Sequence, residues 1–149
     1  MADSTDIWLQ VHKEEGAQAR QSETQRAAVT NYTLVIAAAI AGYVVDQGFA
    51  HDLWYLTTIL ALIGFYGALA SAKYYERFRY LMEIAREIEL RLEAQYPDFG
   101  FSEVLRIAES KHRTRFPLLT KIRLNKIWLV MHLSIAFTGV ATTLYILLY

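Results

Sequence analysis

Charged residues are absent from three long stretches of the chain, residues 27–45, 53–72 and 127–148. The stretches contain 19, 20 and 22 residues, and a helix of roughly 20 residues is long enough to cross a hydrocarbon core of about 30 Å. Soluble amphipathic helices keep a polar face, so runs of this length without Lys, Arg, Asp or Glu favour membrane spans over a soluble helical bundle. The pattern therefore predicts an all-α integral membrane protein with three transmembrane helices.

The residues that flank the first two stretches predict helices that continue beyond the membrane. Residues 5–26 contain no proline and lead into the first span. Residues 73–95 follow the second span, and their apolar positions are four and three apart, which is a heptad seam. The seam consists of Tyr74, Phe78, Leu81, Ala85, Ile88 and Leu92. We expect the first two spans to form a long antiparallel hairpin that extends into the cytoplasm, and we interpret the seam as a face for an oligomer or a partner.

The predicted hairpin has a consequence for the N-terminal helix. If the two long helices leave the membrane side by side, the first turns of one must lie beside the last turns of the other. We therefore expect Ile7, Trp8 and Val11 to lie near Ile88 and Leu92.

Two prolines divide the rest of the chain. Pro97 and Pro117 cannot continue a helix, so a short helix at about residues 102–112 is expected between them. The whole chain then reads as a single membrane domain, residues 1–149. Its predicted parts are a cytoplasmic helix at 5–26, a first span at 27–45, an outside connector at 46–52, a second span at 53–72, cytoplasmic helices at 73–126 and a third span at 127–148.

The distribution of charge predicts the orientation. The chain has 15 basic and 15 acidic residues, so its formal net charge is zero, which excludes a uniformly basic nucleic-acid binder. The connector at 46–52 contains Asp46 and Asp52 and no basic residue, and all 15 basic residues lie on the other side of the predicted spans. Basic residues favour the cytoplasmic side of a membrane. We therefore expect the N-terminus and residues 73–126 to be cytoplasmic.

Motifs for catalysis are missing from the sequence. There is no phosphate-binding glycine loop, no HExxH helix and no cysteine, so we expect neither an enzyme nor a metal or cofactor site. The strongest charge feature is the stretch at 111–126, which has no acid. Its basic residues are Lys111, Arg113, Arg115, Lys121, Arg123 and Lys126. Two interpretations stay open: attraction to anionic lipid headgroups, or binding of a nucleotide or oligonucleotide through its phosphates; duplex nucleic acid is not expected.

The third span carries a polar stripe. Ser134, Thr138, Thr142 and Tyr145 recur at helical spacing and share one face. Such hydroxyls either bond neighbouring helices or line a pore in an oligomer, and the spacing does not separate these readings. His132, the only ionisable residue in a predicted span apart from the tyrosines, lies on another face. Small-residue pairs, including Gly67 with Ser71 in the second span, indicate close packing, which we assign to the hairpin.

Residues 5–95 resemble a known family in layout. A charged N-terminal helix runs into a tight pair of spans, and the second span continues into a Tyr-rich and then Glu/Arg-rich helix. The matching residues are Trp8, Glu14, Glu15, Arg20, Glu23, Arg26, Lys73-Tyr74-Tyr75-Glu76-Arg77 and Ala85-Arg86-Glu87-Ile88-Glu89. This layout resembles the SLATT-type two-span effectors of bacterial antiphage defence, and it is similar to the membrane effectors of Hailong systems, which are paired with a nucleotidyltransferase. The third span departs from that pattern.

The resemblance implies a pore-forming effector of the bacterial inner membrane that a nucleotide signal controls. Together with the charge and polarity patterns, it predicts an oligomeric ion channel or pore-forming effector, gated by an anionic nucleotide or oligonucleotide at the basic stretch. The partner nucleotidyltransferase would make this ligand. The alternative is a non-conducting membrane adaptor or scaffold that recruits a cytoplasmic partner through its heptad helix.

Overall fold

The computed structural model describes residues 4–149, and within this range the chain is helical and contains no strand. Four α-helices follow one another: α1 (Ser4–Asp46), α2 (Trp54–Gln95), α3 (Phe101–Arg115) and α4 (Leu124–Leu148). Short 3₁₀ turns precede α2, α3 and α4, at His51–Leu53, Pro97–Phe99 and Leu119–Lys121. The two long helices contain 43 and 42 residues, in agreement with the two long helices expected from the sequence.

A glycine ends α1. The Gly48 N–H donates to the Val45 carbonyl, and the Phe49 N–H donates to the Val44 carbonyl, which is the hydrogen-bond pattern of a Schellman motif. This motif places Gly48 in the left-handed conformation, with φ of +63°. Phe49 also has a positive φ, +59°, which is unusual for a residue with a bulky side chain.

The prolines lie where the helices stop. Pro97 opens the 3₁₀ turn after α2, and Gly100, with φ of +58°, leads into α3. Pro117 follows the end of α3 by two residues. α3 thus ends at Arg115, three residues beyond the expected His112, because nothing before Pro117 interrupts the helix.

Three of the helices are long and apolar enough to cross a membrane. The helical segments that meet this requirement are Thr5–Asp46, His51–Gln95 and Leu124–Leu148. This confirms the helical class and the three apolar helices that the charge-free stretches predict.

The residues of the chain group into two compact units. One unit contains the described residues up to Glu23 together with Glu76–Arg123, and the other contains Thr24–Tyr75 and Leu124–Tyr149. We call them the charged unit and the apolar unit, because only five of the 30 acidic and basic residues belong to the second one. In the apolar unit, Val44, Leu53 and Ile146 form a buried cluster.

The charged unit buries one side of each long helix. On α2, Leu81, Ala85 and Ile88 are buried, and Phe78 and Leu92 are half-buried. The covered residues of α1 recur at the same four-and-three spacing, but most of them are polar. They are Trp8, His12, Glu15, Ala19 and Ser22.

Candidate functional site

The polar stripe of the third apolar helix faces away from the residues that α4 buries. Ser134, Thr138 and Tyr145 are exposed, and Thr142 is half-buried. The buried residues of α4 are His132, Ala136, Gly139 and Ile146. At about 100° per residue, the stripe and the buried set are centred roughly 120° apart around the helix axis.

A third face completes the circumference of α4. Leu133, Phe137, Val140 and Leu144 are exposed and lie roughly 120° from both other sets. We call the three sides the packed face, the hydroxyl face and the apolar face. From Leu133 to Tyr145, this division separates hydroxyl groups from hydrocarbon side chains on parts of α4 that the chain itself leaves uncovered. Ile127, seven residues before Ser134, is exposed on the hydroxyl side.

Hydrogen bonds between helices come from a different threonine. Thr143 Oγ1 lies 2.7 Å from Thr57 Oγ1 of α2, whereas the Ser134 hydroxyl donates to the Val130 carbonyl of its own helix at 2.6 Å. Within the chain, the hydroxyl bond from α4 to α2 is therefore made by Thr143, on the packed face, and not by Ser134.

Glycines allow α4 to pack closely on α2. A Cβ at Gly64 would overlap the backbone of Ala136, and a Cβ at Gly139 would overlap the backbone of Ala61. Neither position has room for a side chain, so the two helices approach each other at backbone distance.

Gly67 corrects our assignment of the small residues. A Cβ at Gly67 would overlap the ring of His132 on α4. This glycine therefore accommodates α4, whereas the predicted contact was with α1. The small-residue pattern did not indicate this contact, because such a pattern implies a small residue on the facing helix. Here the facing residue is His132, and Gly67 provides the space for its ring. On α1, a Cβ at Gly42 would find nothing within 4 Å.

His132 is fully buried and bonded to α1. Its Nε2 lies 3.1 Å from Thr30 Oγ1, and the Thr30 hydroxyl donates to the Arg26 carbonyl. The Thr30 hydroxyl has one proton, so it cannot donate to the Arg26 carbonyl and to His132 Nε2 at the same time. His132 Nδ1 has no hydrogen-bond partner. His132 therefore joins α1, α2 and α4 at one level.

Arg26 lies one turn from this bond, between aromatic rings. Its side chain is 3% exposed, and its guanidinium carbon lies 5.5 Å from the centre of the Trp128 ring and 6.0 Å from that of Tyr75. Both distances suit cation–π attraction. The sequence pattern gave Arg26 no role beyond the charged helix that precedes the first span. Its spacing from Thr30, four residues, is the signal that places it on the covered side of α1.

Clefts meet the hydroxyl face near the C-terminal end of α4. One, of about 350 Å³, is lined by Phe49, Ala141, Thr142 and Tyr145, and the Phe49 and Tyr145 rings meet edge to face at 5.8 Å. A second cleft, of about 210 Å³, includes Thr138 and Thr142. Three residues of the predicted stripe, Thr138, Thr142 and Tyr145, thus border clefts of the apolar unit.

The six basic candidates lie on exposed positions along the turn between two helices. Lys111, Arg113 and Arg115 belong to the last turn and a half of α3, Lys121 ends a 3₁₀ turn, Arg123 follows it, and Lys126 lies in the first turn of α4. Arg113 donates to Glu109, one turn earlier on the same helix. These side chains are open to solvent, with α3 itself burying none of its residues.

The heptad seam lies on the covered side of α2. Tyr74 in the apolar unit and Phe78 in the charged unit are half-buried, and Leu81, Ala85 and Ile88 are buried. The adaptor hypothesis uses this seam as a docking face, but here the chain itself covers it. An adaptor would need a different face.

Contacts within the charged unit join the start of α1 to the end of α2. Trp8 and Val11 border one cleft with Ile88, which confirms their predicted proximity, whereas Ile7 is exposed. His12 Nε2 lies 3.0 Å from Glu89 Oε1, and the Arg91 guanidinium lies 5.5 Å from the centre of the Trp8 ring.

A carboxylate holds the start of α3. The Ser102 backbone N–H donates to Glu93 Oε1 at 2.9 Å, and the Ser102 hydroxyl donates to Glu93 Oε2. These bonds, the hydroxyl one foremost, hold the pKa of Glu93 below its usual value. The interaction is a helix cap supplied from outside the helix.

Comparison with protein families, with curated proteins and with solved structures finds no match to this chain. Among residues 4–149, no group of three or more His, Asp or Glu side chains is placed to hold a metal ion. The class of protein is defined by its fold: an all-helical chain with three helices suited to a membrane, one of which has a separate hydroxyl face.

Proposed function

We propose that the protein is a homo-oligomeric ion channel or pore-forming effector in which the hydroxyl face of α4 lines the conducting path. The observation that carries the proposal is the separation of that face from both the packed face and the apolar face. Hydroxyl side chains suit the wall of a water-filled path. A helix that contacted only its own chain and lipid would gain nothing from collecting them on one uncovered face.

The limited burial of α4 supports oligomerisation. Of the 18 most apolar consecutive residues of α4, 17% are buried by the rest of the chain, compared with 22% for α1 and 39% for α2. Three helices are too few to enclose a pore. Several copies arranged around an axis bring their hydroxyl faces together and surround a water-filled path.

The same proposal includes the orientation. The N-terminus and residues 73–126 are cytoplasmic, since the connector between α1 and α2 has no basic residue. The contacts of His12 with Glu89 and of Thr5 with Tyr96 support a long antiparallel hairpin of α1 and α2 that continues into the cytoplasm of a bacterial cell.

Control by an anionic ligand completes the proposal. Six exposed basic side chains between residues 111 and 126 suit the phosphates of a nucleotide or oligonucleotide. By the resemblance to antiphage effectors, a partner nucleotidyltransferase would make such a ligand. Its binding would gate the channel.

Ion flux through purified protein in liposomes tests the proposal. Thr138→Leu places hydrocarbon on the hydroxyl face and should abolish most of the flux. Val140→Leu is the matched control, since it introduces the same side chain at an exposed position of the apolar face. It exchanges one apolar side chain for another, which is tolerated against lipid or a neighbouring subunit, so most of the flux should remain. Equal effects of the two substitutions, or no flux above protein-free liposomes with and without oligonucleotide, would contradict a pore along α4.

A further inference from the structure

Apolar side chains are exposed in the turn that leads into α4. Of the nine residues at 115–123, four are large and apolar: Phe116, Leu118, Leu119 and Ile122. Leu118 and Leu119 are 74% and 65% exposed, and the 3₁₀ turn within this range buries none of its residues. A cluster of exposed apolar side chains on a surface turn indicates a contact with something apolar.

Basic residues alternate with these apolar ones. Arg115, Lys121 and Arg123 lie in the same nine residues, which contain no acid. A soluble phosphate ligand would account for the cations and leave the leucines in water. A purely apolar partner would account for the leucines and leave the cations unpaired. An anionic bilayer surface satisfies both, because headgroup phosphates lie directly above the acyl chains.

Chain connectivity keeps this turn close to the bilayer. Arg123 immediately precedes Leu124, the first residue of α4, and α4 is one of the helices suited to a membrane. A chain extends at most about 3.6 Å per residue, so Leu118 lies within about 22 Å of the start of α4. The turn therefore cannot leave the neighbourhood of the headgroups if α4 spans the membrane.

We infer that residues 115–123 form an interfacial segment, which places Phe116, Leu118, Leu119 and Ile122 at the acyl boundary and pairs Arg115, Lys121 and Arg123 with anionic lipid headgroups. Of the six basic residues of the stretch, this leaves Lys111, Arg113 and Lys126 for the soluble anionic ligand of the proposed function. The partner is the membrane surface itself. The inference requires α4 to span the bilayer, and it does not require the protein to conduct ions.

Spin labelling tests the inference on the full chain. Because the chain has no cysteine, Leu119→Cys and Ala94→Cys each provide a single labelling site. Ala94 is exposed at the end of α2, outside the segment, and is the control. The labelled proteins are placed in nanodiscs of phosphatidylcholine alone or with phosphatidylglycerol. Collisions of the label with oxygen, which concentrates in lipid, are compared with collisions with a water-soluble nickel chelate.

The expected result differs between the two sites. The label at 119 should favour oxygen over nickel, more strongly with phosphatidylglycerol, whereas the label at 94 should favour nickel in both lipids. Lys121→Glu with Arg123→Glu should remove the dependence on lipid charge, and Leu118→Ser with Ile122→Ser should lower oxygen access at 119.

Three results would overturn the inference. The label at 119 is as open to nickel as that at 94 in both lipids. It is shielded equally in both lipids and regardless of the charge reversal, in which case protein covers it. In the third result, the label at 119 is shielded from nickel in phosphatidylcholine only when oligonucleotide is added, in which case the segment binds a soluble phosphate ligand. A protein that passes no ions would still give the supporting result, so failure of the channel proposal is distinguishable.

Discussion

Replacing Gly64 by alanine should force α2 and α4 apart. The new Cβ would lie 2.7 Å from Ala136 Cα and 2.8 Å from Ala136 Cβ, whereas carbon atoms pack best at about 3.5–4.0 Å. The overlap is with backbone, so no side-chain rotation relieves it. The helices must separate locally by about 1 Å to restore an ordinary contact distance.

The expected cost follows from that displacement. Overpacking of a well-packed interior typically costs about 1–3 kcal/mol, and a gap of up to about 1 Å forfeits roughly a quarter to a half of the dispersion attraction of the atoms on either side. The close approach at Gly139 belongs to the same helix pair and would be weakened too. We therefore expect Gly64→Ala to lower the free energy of unfolding by about 2–3 kcal/mol.

Unfolding by sodium dodecyl sulfate in mixed micelles, followed by circular dichroism, measures this loss. Gly42→Ala is the matched control, because it makes the same change in α1 where a Cβ meets nothing within 4 Å. It should be neutral or stabilise by up to about 1 kcal/mol, as alanine favours helix over glycine. If the two variants unfold at the same detergent fraction, α2 and α4 do not pack at backbone distance and the reasoning is refuted.

Two further predictions concern the turns. Gly48→Ala should lower the free energy of unfolding by about 1–2 kcal/mol, because a Cβ disfavours a φ of +63°. Gly48→Asn should lose less, and equal losses would indicate another cause. The pKa of Glu93 is lowered in the folded protein. The bonds of Glu93 to Ser102 therefore contribute fully to stability above the pKa of glutamate in the unfolded chain, about 4.3. This stability is lost as the pH falls through the lower pKa of the folded protein. The loss should appear as a step in the pH dependence of the fluorescence of a dye attached to α3 at Ser110→Cys. Glu93→Gln should remove this step, and an unchanged pH profile would contradict the prediction.

The helices could be predicted because the features that define them lie in the local sequence. A missing charge over 20 positions indicates an apolar helix whatever surrounds it, and Pro97 and Pro117 end helices through their own geometry. The covered face of α1 could not be found in the same way. His12, Ser22 and Arg26 are polar, so a search for apolar periodicity passes over them, although they are spaced as regularly as the seam of α2.

The candidate site depends on tertiary contacts to a greater degree. The stripe on α4 could be predicted because a fixed rotation per residue determines which side chains share a face. The sequence could not show that Thr143 and His132 supply the bonds to the other helices. Each of these bonds depends on a particular residue of another helix, Thr57 or Thr30. The partner of Gly67 was misassigned for the same reason.

The three faces of α4 also restrict the symmetry of any assembly. A helix that turns one face toward a central axis has two flanks, and in α4 these flanks differ: one is occupied by α1 and α2 of the same chain, and the other is apolar and uncovered. A two-fold pair would match like surfaces, whereas a closed ring matches unlike ones, head to tail. In the channel that we propose, α4 would therefore suit a rotational ring, in which the apolar flank of each subunit meets the helices of the next and the size of the ring follows from the angle between the flanks.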